Sequence, residues 1–376
     1  MSDYIELFQS PNKVVKDVVP QCDYSTPMEE WPLLLIQVTK FSCGGLCLCI
    51  CTSHVLVDGW SIFLFNKLWA KLGRGEDLNK DEIPIHDRSI LKLSHPQQHT
   101  IGDQYDHSGF KAPPFLLGCS DSKEQQKKET SLAFLRVTKE QIDSLKKEAN
   151  ALQGGNNHHS RQPRPYSRYE VVAAHMWRCA CKARQDNKNQ PTVIRLVADI
   201  RNRLKPTIPL NFTGNVVLPV LTPACRFGDI LSNPLSFAAQ KIREATETLT
   251  DEHVRAALDY AENLQNVDSL RYGNREGFYY GNPNLAIGSM IGIPLYDVDF
   301  GWGKPVYYDP GNMGIQDGKS LIIPSPDGDG SLFIHVRLQT QHMEAFKKYF
   351  YDHKDSIGLD IAQIRNGPSQ SYKARL

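Results

Sequence analysis

Residues 51–60, CTSHVLVDGW, lie where one periodicity gives way to another. Upstream, PLLLIQVTKFSCGGLCLCICTSH (32–54) carries two apolar runs, 32–39 and 45–52, about Gly44-Gly45. That is the pattern of two strands joined by a turn. Downstream, in DGWSIFLFNKLWAKLGRGE (58–76), Ile62, Phe65, Leu68, Trp69 and Leu72 recur at spacings of three and four. This spacing predicts a helix, opened by Asp58 and closed by Gly73 and Gly75. His54 and Asp58 therefore sit on a strand-to-helix bend, and Gly59 beside them admits tight backbone geometry. Imidazole is the side chain best suited to take a proton near neutral pH, so His54 is a candidate general base. The pair also reads, as a second alternative, as a device that only stabilises the bend.

Working outward, residues 76 to about 130 are polar and proline-rich, the composition of a long surface crossover. TSLAFLRVTKEQIDSLKKEA (130–149) predicts a strand and then a helix starting near Thr138. SRYEVVAAHMWRCACKARQ (167–185) predicts a helix capped near Ser167, with Val171, Ala174, Trp177 and Cys181 on one face. TVIRLVADIRNRL (192–204) and VVLPVLTPA (216–224) read as strands, the second an edge because of its prolines. Residues 229–266 read as one or two helices. Short strands follow at NLAIGSM (284–290), PVYYD (305–309), SLIIP (320–324) and SLFIHVRL (331–338), before a last helix from Gln341. The mixture predicts an α/β or α+β protein of two layered domains.

At 376 residues the chain is too long for one compact core. Its 43 Lys and Arg against 42 Asp and Glu give a net charge of +1, which offers nothing to a nucleic acid or an acidic membrane. No apolar run reaches the ~18 residues that span a bilayer, and MSDYIELFQS does not read as a secretory signal. A reduced, cytoplasmic setting is expected for the nine cysteines. Cys47, Cys49 and Cys51 alternate with Leu48 and Ile50 along one strand face, so they read as small hydrophobes; three thiols in such a row cannot close round a tetrahedral metal. His158-His159 suits a flexible loop, and PDGDGSL (326–332) a hairpin turn.

A second motif narrows the function. DVDFGWGKP (297–305) contains DFGWG at Asp299–Gly303. H-x-x-x-D-G followed at long interval by D-F-G-W-G resembles the plant acyl-CoA-dependent acyltransferases of the BAHD family. QVTKFSCGG, RYEVVAAHMWRCACKAR, EGFYYGNPNLAIGSMIGIPLYDVDFGWGK and HMEAFKKYFY resemble its hydroxycinnamoyl-transferring branch, in particular the members that acylate spermidine. The H-x-x-x-D motif stands earlier here than in such proteins, which implies that an amino-terminal portion of the first domain is missing.

The resemblance implies a two-domain, chloramphenicol acetyltransferase-like fold, each domain a mixed sheet flanked by helices. Residues 1–95 would form the first domain, 96–118 a crossover linker and 119–376 the second domain. It implies a catalytic role for the motif residues His54 and Asp299, with His54 as base. Asp58, Gly59 and Trp302 would shape the site: Asp58 by turning away to pair with Arg201 or Arg203, Trp302 by packing or by donating its indole N–H to an oxyanion. Asp299 itself reads as a residue that holds its loop in shape. The co-substrate would be an acyl-CoA, here hydroxycinnamoyl-CoA, with no permanently bound cofactor and no metal; Lys182 and Arg184, at a helix C-terminus, suit either its phosphates or an ordinary role at the negative end of the helix dipole. Relatives that acylate shikimate carry an arginine where SMIGIP (289–294) has Gly292, so the acceptor is expected to be an amine such as spermidine rather than an acid. The alternatives are an alcohol or another amine, or a truncated fragment that binds CoA esters without turnover. A soluble monomer is expected.

Overall fold

The computed structural model describes residues 17–23, 25–91, 105, 107–151, 164–185, 187–264, 278–311 and 314–352. His158 and His159 lie outside them.

β1 (Leu34–Lys40) and β2 (Leu46–Thr52) pair antiparallel, with Leu34 opposite Thr52. The chain reverses between them through Gly44, whose φ of +86° is a conformation that glycine adopts without strain. α1 (Gly59–Gly73) then starts at Asp58, whose side chain accepts from the Ser61 N–H. Its inner face differs from the one the sequence predicts. Ser61, Phe63, Leu64, Leu68 and Ala70 are buried, whereas Phe65 and Leu72 are 39 % and 52 % exposed. Apolar residues occupy nearly every side of this helix, so periodicity alone could not select the buried one.

The larger unit is built on β3 (Thr130–Val137), α2 (Lys139–Asn150), α3 (Arg168–Arg184), β4 (Pro191–Thr192), β5 (Ile194–Asp199), β6 (Val217–Leu221) and β7 (Cys225–Arg226). α4 (Phe227–Ser232), α5 (Leu235–Glu247), α6 (Asp251–Glu262), β8 (Leu285–Ser289), β9 (Lys319–Pro324), β10 (Leu332–Gln339) and α7 (Thr340–Tyr351) complete it. Residues 227–262 thus form three helices where one or two were expected. Six strands make a mixed sheet in the order β3-β10-β9-β8-β5-β6, with β8 parallel to both neighbours and the other pairs antiparallel. β6 is an edge, as its prolines require. PDGDGSL is the connection of the β9–β10 hairpin, with Gly328 and Gly330 at positive φ.

Alternation decides which side of this sheet is core. Ala133, Leu135 and Val137 of β3 and Ile334, Val336 and Leu338 of β10 point to the helices, where α3 lies with Val171, Val172, Met176, Trp177 and Cys181 fully buried. On the reverse face Phe134, Leu321, Ile323 and Phe333 pack with Met290, Ile293 and Tyr308 into a second apolar layer. PVYYD (305–309) is irregular rather than a strand. It crosses this reverse face, Tyr307 by Phe134 and Tyr308 against Met290, and a segment on a face has no sheet edge to join.

The two units join early in the chain. Ile85 forms a bridge with Phe212, and its backbone bonds to Asn211 and Thr213. Ile85, Ile90 and Leu91 already pack on the core of the larger unit.

Candidate active site

Everything about the bend is organised by Asp58, which is 2 % exposed. Its carboxylate accepts from the Ser61 N–H (2.9 Å), the Val216 N–H (2.9 Å) and Arg201 Nη2 (2.9 Å to Oδ2 and 3.1 Å to Oδ1). Arg201 is as deeply buried and also reaches Asp199 Oδ2 at 3.2 Å, whereas Arg203 is exposed. Of the two arginines open from sequence, Arg201 is the partner. The Ser61 hydroxyl donates to the Gly214 carbonyl at 2.9 Å and lies 3.1 Å from both Arg201 Nη2 and the Gly214 N–H. A buried carboxylate satisfied by three donors has no lone pair directed at a substrate; it fixes α1 to the strand region of the larger unit.

His54 stands four residues before this anchor, in the turn that leaves β2. Its residue is exposed, and its carbonyl accepts from Asn215 Nδ2 at 2.7 Å. The neighbours Gly214 and Val216 bond to Ser61 and Asp58, so one short segment, 214–216, holds both ends of the bend. Among the described residues the His54 ring makes no recorded hydrogen bond or ion pair. A held backbone with an open imidazole is the arrangement a base requires. Ser61 and Asn215 were not singled out from sequence. Ser61 carries a signal, since it lies three residues after the cap, but Asn215 carries none.

Gly59 begins α1 at ordinary negative φ. A Cβ there would meet Ile293 Cδ1 at 3.4 Å and Met290 Cε at 3.7 Å, which is normal contact, so the tightness expected of this glycine is mild. A Cβ at Gly292 would meet nothing within 4 Å.

DFGWG lies elsewhere. Asp299 Oδ1 accepts from the N–H groups of Gly301 (2.7 Å) and Gly303 (3.0 Å), which adopt φ of +93° and +96°. The Asp299 carbonyl accepts from Arg74 Nη1, and Phe300 packs edge-on against Trp69 at 4.9 Å. Trp302 is 60 % exposed and stacks on Phe300. These contacts fix the loop at the carboxyl end of α1, whereas His54 precedes its amino end. Fifteen helical residues separate the two, about 22 Å at 1.5 Å per residue. The structure therefore does not bring Asp299 or Trp302 to His54, in keeping with the reading of Asp299 as a residue that shapes its loop. Asp299 holds two backbone amides, which is the work of a turn.

Arg184 is buried beside Asp317 at 3.9 Å, and Lys182 lies over the Tyr349 ring at 5.7 Å. On β2, Cys49 and Cys51 have sulfurs 3.9 Å apart. Burial pushes the Cys49 thiol up to about 12, with smaller contributions from Cys51, so it stays protonated and a poor nucleophile. No helix among the described residues is long and apolar enough to cross a membrane.

Comparison with known proteins identifies the family and the fold. The Transferase family model matches residues 1–353. The chain is 40 % identical over 350 residues to hydroxycinnamoyl-CoA:piscidic acid hydroxycinnamoyltransferase of Actaea racemosa, covering 91 % of this chain and 75 % of that protein. It is 34 % identical over 345 residues to shikimate O-hydroxycinnamoyltransferase of Nicotiana tabacum, with the same shares covered. It is 35 % identical over 347 residues to anthranilate N-benzoyltransferase protein 2 of Dianthus caryophyllus, covering 92 % and 74 %. Among solved structures, F. graminearum TRI101 complexed with coenzyme A and deoxynivalenol superposes with a TM-score of 0.68 at 18 % identity, over 85 % of this chain and 69 % of that one. The expected acyltransferase fold is thereby established. The chain belongs to the Transferase family, the BAHD acyltransferases, and is an acyl-CoA-dependent N- or O-acyltransferase of the hydroxycinnamoyl branch.

Proposed function

We propose that the protein transfers a hydroxycinnamoyl group from its CoA thioester to an amine, spermidine being the acceptor of choice, with His54 as general base. The observation that carries this reading is the open imidazole on a backbone fixed by Asn215, Asp58 and Arg201. A thioester is already activated, so a base and correct placement suffice. His54 takes the proton of the attacking N–H as the new C–N bond forms, the C–S bond breaks, and the proton passes to the departing sulfur. General-base assistance of this kind contributes about 10²–10⁴-fold, and holding both reactants together contributes more. The acceptor preference is supported by Gly292, which leaves open space where an acid-binding side chain would stand. Asp58 acts by positioning the bend, and Asp299 by shaping the loop at the far end of α1.

Mass spectrometry of reactions containing feruloyl-CoA and spermidine tests this. Feruloyl-spermidine and free CoA are expected, falling by about 10²–10⁴-fold in His54→Ala. Because the ring is exposed, the melting temperature of that variant stays within ~2 °C of the parent. Products with alcohols but with no amine would move the acceptor to oxygen. Absence of CoA release with every acceptor would overturn the catalytic reading.

A further inference from the structure

The reverse face of the sheet, away from the helical core, carries a carboxylate with no cationic counterpart among the described residues. Asp309 ends the PVYYD segment that crosses this face. Its Oδ1 accepts from the Gly311 N–H at 2.7 Å and its Oδ2 from the Tyr307 hydroxyl at 3.2 Å. His335 of β10 places Nε2 3.9 Å from the same Oδ2; the His335 side chain is 2 % exposed and that of Asp309 15 %. His335 Nε2 has no hydrogen-bond partner, and no lysine or arginine pairs with Asp309 among the described residues. Phe134 stands edge-on to His335 at 4.5 Å, stacks on Phe333 and flanks the Tyr307 ring at 6.3 Å.

Charge follows from burial. Loss of water pushes Asp309 up to about 6 and His335 down to about 4. Above pH 7 the pair is a carboxylate beside a neutral imidazole, a net negative charge walled by aromatic rings. A buried anion of this kind is costly unless a cation joins it, and aromatic faces favour the same partner. A metal is a poor candidate, since no group of three ligating side chains occurs among the described residues.

The place is also suitable. Tyr308, next to Asp309, packs on Met290, which in turn approaches Gly59 beside the bend.

We propose that Asp309, with Tyr307, His335 and Phe134 around it, is the subsite that holds a protonated amine of the acceptor while another nitrogen is acylated at His54. The proposal rests on the reading of an amine acceptor given above, and selects acceptors with two or more separated amines.

Calorimetry of the full chain with spermidine alone at pH 8 tests it, with Asp309→Asn and His335→Lys as variants. The second supplies a resident cation, so it keeps the test decisive where the first fails to fold. Each is expected to weaken spermidine binding at least 10-fold. Absence of binding by the parent chain, or affinities within 2-fold in a folded variant, would overturn the subsite. Product analysis separates this from the function. Spermidine bound through Asp309 but never acylated would sink the acyl transfer and keep the subsite. Acylation with an unchanged KM in Asp309→Asn would do the reverse.

Discussion

Asp309 holds a charge where water scarcely reaches, and that has a cost which can be measured. Its folded-state value of about 6 lies above the ordinary 3.8, so the folded chain prefers the protonated form. The sign is therefore opposite to that of a salt-bridged carboxylate: stability is lost as pH rises from about 4 to about 6, and stays lost above. Asp309→Asn should stabilise the protein by about 1–3 kcal/mol at pH 8 and by nothing near pH 3.5. Urea unfolding at the two pH values reads this directly. A gain in stability at the expense of binding is the usual mark of a functional group. Asp299 differs, because its work is to accept two amide bonds. Asp299→Asn keeps an accepting oxygen and should retain most of the kcat. Asp299→Ala frees both amides, and should lose about 1–2 kcal/mol of stability with no change in the pH profile of the remaining activity. Equal kcat losses in both variants would assign Asp299 a chemical role instead.

Among the elements, α3 shows how far a helix can be read from its own residues. Ser167, the expected cap, forms a capping box with Glu170, the Ser167 N–H donating to Glu170 at 2.6 Å. The spacing S-x-x-E made that start legible. It did not disclose that Glu170 is buried and also accepts from Arg164 and from Arg243, 73 residues away. Burial raises the carboxyl, but the bonds from Arg243 and Arg164 and from Ser167 outweigh it and hold Glu170 at about 2. Its contribution is thus full above the ordinary value of 4.5 and disappears as pH falls towards 2. Glu170→Gln should remove about 3 kcal/mol at pH 7, and its stability should change less than the parent's between pH 4.5 and 2.5. Thermal melts across that range decide it. α1 and PVYYD mark the opposite limit. In α1 apolar residues surround the helix, and PVYYD has strand composition on a path across a face. Only tertiary packing chooses between the outcomes in each case.

Across the whole molecule, the fold class was legible because two short motifs could be matched, and the strand–bend–helix unit because its periodicity changes within ten residues. What joins the halves was only partly legible: Asp58 needed an arginine, and DIRNR offered two. Burial separates them, since Arg201 enters the interface and Arg203 remains in water. No local pattern marks 214–216 as the segment that grips both Asp58 and His54. Arg201 therefore couples the base to a sheet formed by residues remote in sequence. Removing it leaves Asp58 buried with two amide bonds and no cation, a loss on the order of 3–5 kcal/mol. That loss should be local. In Arg201→Ala, amide hydrogen exchange should accelerate through the bend and α1, while β10, sealed between β3 and β9, keeps the protection of the parent. The kcat should fall with His54 still present, and the pH dependence of what remains should be unaltered, because the base is displaced rather than retuned. Uniform acceleration of exchange over both α1 and β10 would mean that Arg201 supports the fold as a whole and has no particular hold on the site.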